Sequence, residues 1–179
     1  MRPELLNIIV EFAGQQKIDW RILFAILNKE SNAIGFHSGG AFIKKRFEPH
    51  IHKGFLKVFK GVALKHPSLP GLSPQWIRDH KEAELEMLST SYGIAQIMGY
   101  WYPMLKYRTI YEMIEAWTAS ETLQVRDFCQ FCVKYNDLRF LEALRKLDFV
   151  SIAKQYNGGG YKKNNYDTDL QKYFKSANK

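Results

Sequence analysis

Residues 19–31 read DWRILFAILNKES, an almost wholly apolar segment that closes on an acidic residue, Glu30. Asp19 is a candidate N-cap, because its carboxylate can accept a backbone N–H of the first helical turn. Only one of residues 20–27 is polar, so the pattern predicts a helix that is buried on most sides. A helix of this kind needs a core around it, and the rest of the fold must supply that core.

Glu30 lies three residues after Leu27 and seven after Leu23, which places its carboxylate on the core-facing side of the predicted helix. Desolvation there is expected to raise its pKa, and the negative end of the helix dipole opposes its charge. Both effects favour a protonated carboxyl near neutral pH, as a general acid requires. The alternative is a Glu that extends off the helix end or pairs with a Lys, and the helix alone leaves both open.

The chain has 179 residues, which predicts a single domain spanning residues 1–179 with a full-sized core. Its 46% hydrophobic and 15% aromatic content excludes a disordered protein. No stretch approaches the length of a transmembrane helix. Residues 1–10 lack a signal-peptide layout, so we expect synthesis in the cytoplasm and, for action elsewhere, release or export by another factor.

The net charge of +8 suits a polyanionic neighbour such as nucleic acid, an anionic envelope or a membrane surface. The densest basic groups are short, at residues 44–46 and 162–163. Charge spread in this way is more typical of solubility and loose attraction than of a specific patch. Because no nucleic-acid-binding motif accompanies it, no specific nucleic-acid partner is expected.

Two cysteines, Cys129 and Cys132, form a Cys-x-x-Cys pair. A pair of this kind can indicate redox chemistry or half of a zinc site. Here it has the apolar spacing of a helix face, and no second ligand pair follows at zinc-finger spacing. The pattern therefore predicts two buried thiols on a core helix, with no metal and no cofactor.

Residues 35–47 differ from their helical surroundings, because glycines interrupt them and residues 41–43 favour extended structure. They predict a small β-hairpin directly after the buried helix. Other helices are expected at residues 5–12, 49–60, 79–88, 109–117, 120–134, 138–147, 149–156 and 167–176, with a loop at residues 61–74. The chain is thus predicted to be α+β and mostly α-helical. A Glu that ends a buried helix beside a small hairpin resembles the layout of lysozyme-like folds.

A second carboxylate of interest is Glu48, which stands immediately before Pro49 at the expected start of a helix. The positive end of that helix dipole favours an ionised carboxylate. The pKa values of Glu30 and Glu48 would then be pushed apart, a pattern typical of acid and base roles in glycoside hydrolysis. The alternative is that Glu48 only caps the helix, which for an isolated residue is the commoner case.

Two further segments carry groups suited to a sugar ligand. Residues 89–99 read STSYGIAQIMG, in which small hydroxyls before a glycine allow close backbone approach and an amide can hydrogen-bond a sugar. Residues 156–161 read YNGGGY, and aromatics with amides beside a glycine loop suit carbohydrate. The alternatives are a tightly packed core helix for the first segment and an ordinary turn between helices for the second.

Taken in order, these segments resemble the N-acetylmuramidase domain of bacteriophage endolysins and related bacterial cell-wall lysins. The resemblance covers about residues 19–173, and its matching positions are 25–32, 35–36, 47–48, 50, 91–99, 119–121, 124, 156–158, 161, 164, 166–168 and 170. It implies a lysozyme-like fold and cleavage of the β-1,4 bond between N-acetylmuramic acid and N-acetylglucosamine in peptidoglycan. The chain departs from the family in its basic residues 44–46, its glycines at 159–160 and its two cysteines. The peptidoglycan-binding module that often accompanies such a domain is not found in the sequence.

The resemblance also implies roles for individual residues. Glu30 matches the catalytic Glu and is expected to be the general acid, whereas Glu48 matches the second acidic position, as general base, electrostatic stabiliser or substrate contact. The hydroxyl of Thr90 or that of Ser91 is expected to position a water. The expected substrate-binding residues are Tyr92, Gln96, Tyr156, Asn157 and Tyr161.

Three hypotheses follow for the activity. The first is a metal-free muramidase that acts as a monomer on peptidoglycan in the periplasm, with its positive charge attracting it to an anionic envelope surface. The second is a lytic transglycosylase, which would cleave the same bond without water and leave 1,6-anhydro-muramic ends. The third is a non-catalytic wall-binding module, which would leave the buried Glu without a use.

Overall fold

The computed structural model describes residues 1–40, 42–69 and 71–177. The helices and strands are α1 (Pro3–Gln16), α2 (Trp20–Ser31), β1 (Lys45–Phe47), α3 (Pro49–Phe59), α4 (Pro74–Arg78), α5 (Glu82–Leu88), β2 (Thr90–Tyr92), β3 (Ile97–Met98), α6 (Ile110–Ala119), α7 (Glu121–Lys134), α8 (Arg139–Arg145), α9 (Phe149–Asn157) and α10 (Tyr166–Ser176). Short 3-10 turns occupy Gly99–Trp101 and Gly158–Gly160. In the part of the chain that the structure describes, no helix has the length and apolar character needed to span a bilayer.

Helix α2 forms where the sequence predicts it. The Asp19 side chain accepts the backbone N–H of Arg21 at 3.1 Å and so caps the first turn. The helix ends at Ser31 because Asn32 adopts a left-handed conformation, with φ of 59°, and its N–H bonds back into the last turn. The side chains that this helix buries completely are Ile22, Leu23, Ala25, Ile26 and Leu27.

The chain divides into two compact units. The sequence predicts a single domain of residues 1–179, and this stays a prediction. The first unit comprises Met1–Lys44, Gly93–Ala95 and the chain from Ala116 onward. Within it α2 packs between α1 and α10, and α7, α8 and α9 follow one another around the same core. The largest side chains fully buried in this unit are Trp117, Phe128 and Phe140.

The second unit comprises Lys45–Tyr92 and Gln96–Glu115. It contains a three-stranded antiparallel sheet of order β1-β2-β3, in which Arg46 is opposite Ser91 and Ser91 is opposite Met98. Helix α3 packs against α4 and α5 in the same unit. Phe55 on α3 is wholly buried, and the faces of three helices and a short sheet therefore share one small core.

The expected β element after α2 is confirmed, but it extends beyond a local hairpin. Among the described residues of the stretch 35–44, Phe36 and Ile43 form an isolated bridge, and the His37 N–H donates to the Phe42 carbonyl at 2.9 Å. Gly39 and Gly40, both with positive φ, make the reversal. Strand β1 then pairs with β2, so residues 90–92 and 97–98 are strands and the alternative of a core helix there is wrong. Ala41, which the extended pattern included, lies outside the described residues.

The remaining helices agree with the predicted segments apart from their ends. Helix α1 continues through Gly14 to Gln16, because glycine in a helix costs only about 1 kcal/mol and Ala13 beside it is buried. Helix α4, at the end of the predicted loop, was not expected. Its first turn is capped by Ser73, whose hydroxyl accepts the Trp76 N–H at 3.5 Å. Pro70 of that loop lies outside the described residues.

Candidate active site

Glu30 lies in the last turn of α2, half-buried, where the sequence predicts a catalytic acid. The hydroxyl of Tyr166, the first residue of α10, donates a hydrogen bond to Glu30 Oε1. Tyr166 is only 2% exposed, and α10 packs along α2 more extensively than any other pair of elements. The carboxyl group is therefore oriented by a donor that the core itself holds in place.

Tyr156, at the end of α9, is the second aromatic residue near Glu30. Its hydroxyl donates to the Ala95 carbonyl at 2.6 Å, and its ring lies nearly parallel to that of Tyr166, with centroids 6.3 Å apart. Burial raises the pKa of the Tyr156 phenol well above its ordinary value, and the negative charge of Glu30 raises it further. Tyr156 therefore stays a neutral donor, within electrostatic reach of the Glu30 carboxyl.

The lysine beside Glu30 is engaged elsewhere. Lys29 Nζ lies 2.5 Å from the Asp169 carboxylate and 3.0 Å from the Asn164 carbonyl oxygen. It also lies 5.7 Å from the centroid of the Tyr166 ring, within cation–π range. Lys29 thus joins the end of α2 to the start of α10, which supports the placement of Tyr166 against Glu30.

Several side-chain hydrogen bonds fix the path of the backbone that follows Glu30. Ser31 Oγ donates to the Ile94 carbonyl at 2.6 Å, and Lys44 Nζ donates to the Ser31 carbonyl at 2.6 Å. Four residues after Ser31 the Gly35 N–H donates to the Glu121 carboxylate, which also pairs with Arg2 at 2.5 Å. Buried hydrogen bonds of this kind are costly to leave unmade, so the segment after α2 has one well-defined path.

Gln124 on α7 holds the 93–95 segment. Its Oε1 accepts the Ile94 N–H at 2.8 Å and its Nε2 donates to the Trp117 carbonyl at 2.8 Å. A Cβ added to Gly93, whose φ is 73°, would lie 2.7 Å from Oε1, and one added to Gly35 would overlap the same atom. The glycines at these two positions are therefore required by close approach to a single amide.

Glu48, in the second unit, occupies the N-cap position of α3, but its side chain makes no capping hydrogen bond. Instead Oε1 accepts from Arg46 Nε at 2.7 Å, and Oε2 lies 3.7 Å from His50 Nδ1. Its side chain is 21% exposed. Glu48 thus stands at the helix start without capping it through the side chain, and its carboxylate pairs with Arg46 beside His50 at the edge of solvent.

The predicted hydroxyls of β2 are buried and bonded within the second unit. Thr90 Oγ1 donates to the Glu86 carbonyl at 2.8 Å, and Ser91 Oγ donates to Gln96 Oε1 at 2.9 Å. Tyr92 is also buried, and its hydroxyl donates to the Met87 carbonyl at 3.2 Å. Burial raises the pKa of Tyr92 to about 12. The structure therefore brings Ser91 and Gln96 together, while Thr90 and Tyr92 bond to the backbone beside them.

The predicted sugar-binding residues at the end of α9 are more accessible. Asn157 is half-buried and its Oδ1 accepts from Asn164 Nδ2 at 3.3 Å. The three glycines after it form a 3-10 turn rather than an open loop, and Gly158 has a positive φ of 74°. Tyr161, which follows this turn, is half-buried, as Asn157 is.

Cys129 and Cys132 are free, buried thiols on α7, which confirms the prediction of a core helix. Burial raises the pKa of Cys129 to about 12, and both burial and Cys129 raise the pKa of Cys132. These thiols therefore stay protonated and unreactive near neutral pH. In the described ranges, no group of three or more His, Cys, Asp and Glu side chains is arranged to hold a metal ion.

Sequence reasoning placed Tyr166 within the family resemblance but gave it no role. The available signal was its position: it begins the last helix and lies four residues before Leu170, so both share the inward face of α10. Nothing in its own segment indicates that α10 packs on α2, 136 positions away in sequence from Glu30 to Tyr166. Its contact with Glu30 is visible only once the helices are packed.

The helical fold with a small antiparallel sheet belongs to the lysozyme-like class of folds. Residues 79–178 match the sequence model of the Muramidase family, described as N-acetylmuramidase, and this chain belongs to that family. It is therefore a peptidoglycan hydrolase of the N-acetylmuramidase type. The matched stretch includes Tyr156 and Tyr166 and begins after Glu30 and Glu48.

The fold is also similar to that of a solved structure, the crystal structure of Burkholderia AP3 phage endolysin. The two share a TM-score of 0.68 and 24% sequence identity, over 94% of this chain and 68% of that one. This likeness confirms the lysozyme-like fold predicted from the sequence. Among curated proteins no match was found.

Proposed function

We propose that this protein is an endolysin-type muramidase that hydrolyses the β-1,4 bond between N-acetylmuramic acid and N-acetylglucosamine, with Glu30 as general acid. The observation that carries the proposal is the hydrogen bond from the buried Tyr166 hydroxyl to Glu30. A catalytic carboxyl must be held near its productive orientation, and a donor fixed in a packed core provides this.

In this proposal the carboxyl proton of Glu30 passes to the glycosidic oxygen as its bond to the anomeric carbon breaks. Positive charge develops on the sugar ring. A water then adds its oxygen to the anomeric carbon, gives a new reducing end and releases one proton, which balances the proton that Glu30 donated. The second acid is Glu48, as general base, electrostatic stabiliser or substrate contact. In glycosidases, a distance of ~5–5.5 Å between the two catalytic carboxyl groups accompanies retention of configuration at the anomeric carbon. A distance of ~6.5–9.5 Å accompanies inversion.

The residues proposed to meet the glycan are those that combine aromatic or amide groups with an ordered backbone. Tyr161 and Asn157 are partly exposed and suit the flat face and hydroxyls of a sugar. The Ser91–Gln96 pair supplies a second polar point, with Thr90 or Ser91 as the candidate for placing the water. Tyr156 and Tyr92 are proposed as ring surfaces that shape the substrate-binding region rather than as free hydroxyl donors.

The same proposal covers the setting in which the enzyme acts. The structural relative is a phage endolysin, which supports a role in lysis of a bacterial cell wall during phage release. We propose that the enzyme acts on the cell wall in the periplasm and that it acts as a monomer. Its net charge of +8 supports attraction to the anionic envelope.

Mass spectrometry of soluble fragments released from purified peptidoglycan tests the reaction. Hydrolysis is expected to give reducing muramic-acid ends. Fragments with 1,6-anhydro ends, which are lighter by one water, would instead identify the enzyme as a lytic transglycosylase. Wall retention without fragments would favour a binding module instead.

Substitution at the two carboxylates tests the residue roles. Glu30→Gln keeps the size of the side chain but removes the transferable proton, and loss of general acid catalysis alone slows such reactions by about 10²- to 10⁴-fold. Glu48→Gln is expected to lose less. A folded Glu30→Gln with wild-type activity would refute the assignment, and wild-type activity of Glu48→Gln would remove that residue from the site. Circular dichroism of both variants separates a catalytic loss from misfolding.

A further inference from the structure

Helix α3 and the loop after it carry a surface that the glycosidase chemistry does not use. The helix buries Ile51, Phe55 and Val58 on one side. The exposed lysines Lys53, Lys57 and Lys60 follow each other at spacings of four and three residues, so they form one stripe along the opposite side.

The loop turns back on this helix and displays two apolar side chains. Gly61, with φ of 72°, reverses the chain, and the N–H groups of Val62 and Ala63 both donate to the Lys57 carbonyl, at 2.8 and 3.0 Å. This arrangement leaves Val62 75% exposed and Leu64 86% exposed, at the end of the lysine stripe. Leu64 is the most exposed of the large apolar side chains in the described residues.

The far end of the loop is anchored by His66, which is wholly buried. Its Nε2–H donates to the Ile51 carbonyl at 2.8 Å, and its Nδ1 accepts the Ser68 N–H at 3.1 Å. The imidazole packs edge-on against Phe55, with ring centroids 4.9 Å apart, and leaves no room for a Cβ at Gly54. Val62 and Leu64 are therefore displayed on a support that is fixed at both ends.

The charge of this surface is positive. Lys60 pairs with Glu82 of α5 at 3.3 Å, which offsets one of its cations. Within the described ranges Lys53, Lys57 and Lys65 form no ion pair. Two projecting apolar side chains with three uncompensated lysines beside them suit a partner that offers both anionic groups and an apolar layer beneath them.

We propose that residues 53–65 dock this protein on the surface of an anionic phospholipid bilayer. Val62 and Leu64 enter the boundary between headgroups and acyl chains, and Lys53, Lys57 and Lys65 contact lipid phosphates. Nucleic acid would use the lysines but leave both apolar side chains in water. The docking is independent of bond cleavage, because none of these residues belongs to the proposed active site.

Co-sedimentation with vesicles tests the proposal, with vesicles of phosphatidylglycerol and phosphatidylcholine compared with phosphatidylcholine alone. The wild-type protein is expected to bind only the anionic vesicles, and more weakly at high salt. The double variant Val62→Ser/Leu64→Ser is expected to bind at least about tenfold more weakly, since each side chain gains more than this on full burial. The triple variant Lys53→Gln/Lys57→Gln/Lys65→Gln is expected to bind about a hundredfold more weakly, because each lysine contributes about fivefold to the affinity.

Matched controls remove the same groups from the other unit. Val150→Ser/Leu138→Ser replaces two side chains that are about half exposed, and Lys154→Gln/Lys172→Gln/Lys175→Gln removes three exposed lysines. The apolar control is expected to bind anionic vesicles as the wild type does. The lysine control is expected to bind them less than tenfold more weakly, because only its net charge is reduced. Equal losses in test and control variants would overturn the proposal.

Two further outcomes would also overturn it. One is absence of wild-type binding to anionic vesicles, and the other is binding to purified peptidoglycan that the loop variants lose while vesicle binding persists. Activity on purified peptidoglycan without lipid is expected to be unchanged in all four variants. That measurement separates a failure of this proposal from a failure of the proposed reaction.

Discussion

Removal of the Tyr166 hydroxyl is the most direct perturbation of the Glu30 carboxyl that keeps the fold intact. Tyr166→Phe deletes one oxygen from a side chain that is 2% exposed and whose ring remains packed beside Tyr156. A hydrogen bond to a charged group contributes about 1.5–3 kcal/mol. If that energy orients the carboxyl in the transition state, kcat is expected to fall by about 10- to 150-fold, with little change in KM.

The pH dependence gives a second readout that a purely structural role would not move. A donor to a carboxylate stabilises its ionised form, so losing the Tyr166 hydroxyl favours the protonated form. Glu30 would then keep its proton to higher pH, and the alkaline limb of the rate profile is expected to move to higher pH. Initial rates of peptidoglycan turbidity loss, measured across pH, provide both kcat and the profile.

Tyr135→Phe is the matched control, because it removes a tyrosine hydroxyl that donates to the Gln155 carbonyl at 3.0 Å in the same unit. It is expected to lower the free energy of unfolding by about 1 kcal/mol and to leave the rate profile in place. Wild-type kcat and an unmoved profile in a folded Tyr166→Phe would refute the orienting role of Tyr166.

Two further predictions concern stability, measured by chemical denaturation. Gly35→Ala would drive a methyl group into the Gln124 amide and is expected to cost about 1–3 kcal/mol, whereas Gly14→Ala, in open space within α1, is expected to stabilise by about 0.5–1 kcal/mol; equal effects would contradict the packing argument. Burial lowers the pKa of His66 below its ordinary value, so its neutral form is favoured in the folded state. The stability this contributes is complete above the unfolded pKa of about 6.5 and is lost as pH falls from there toward the folded pKa, and a His66→Gln variant is expected to show a shallower decline over that range.

The sequence was most informative where the determining interactions are local. Asp19 as a cap, the apolar run after it and the position of Glu30 all lie within one helix, and the structure has that helix as expected. Strand β1 has only three residues, all exposed, so no alternation of apolar and polar residues identifies its partner. Its pairing with β2 depends on a packed arrangement that neither segment encodes alone.

The site shows the same contrast. Glu30 could be selected because its helix neighbours make a carboxyl unusual at that position. Tyr166, which hydrogen-bonds that carboxyl, could not be selected from the sequence. A tyrosine at a helix start has many roles, and its partner Glu30 is 136 positions away in the chain. Glu48 was recognised as an acid at a helix start, yet its pairing with Arg46 depends on the path of β1.

The two polar side chains of α7 that hold backbone amides have a consequence for local opening. Glu121 accepts the Gly35 N–H, and one turn later Gln124 accepts the Ile94 N–H. Segments from two distant parts of the chain are thus fastened to the first turns of a single helix. Neither segment can unfold locally without leaving a buried backbone N–H unpaired. We therefore expect the two segments to unfold cooperatively with α7 and not as independent loops.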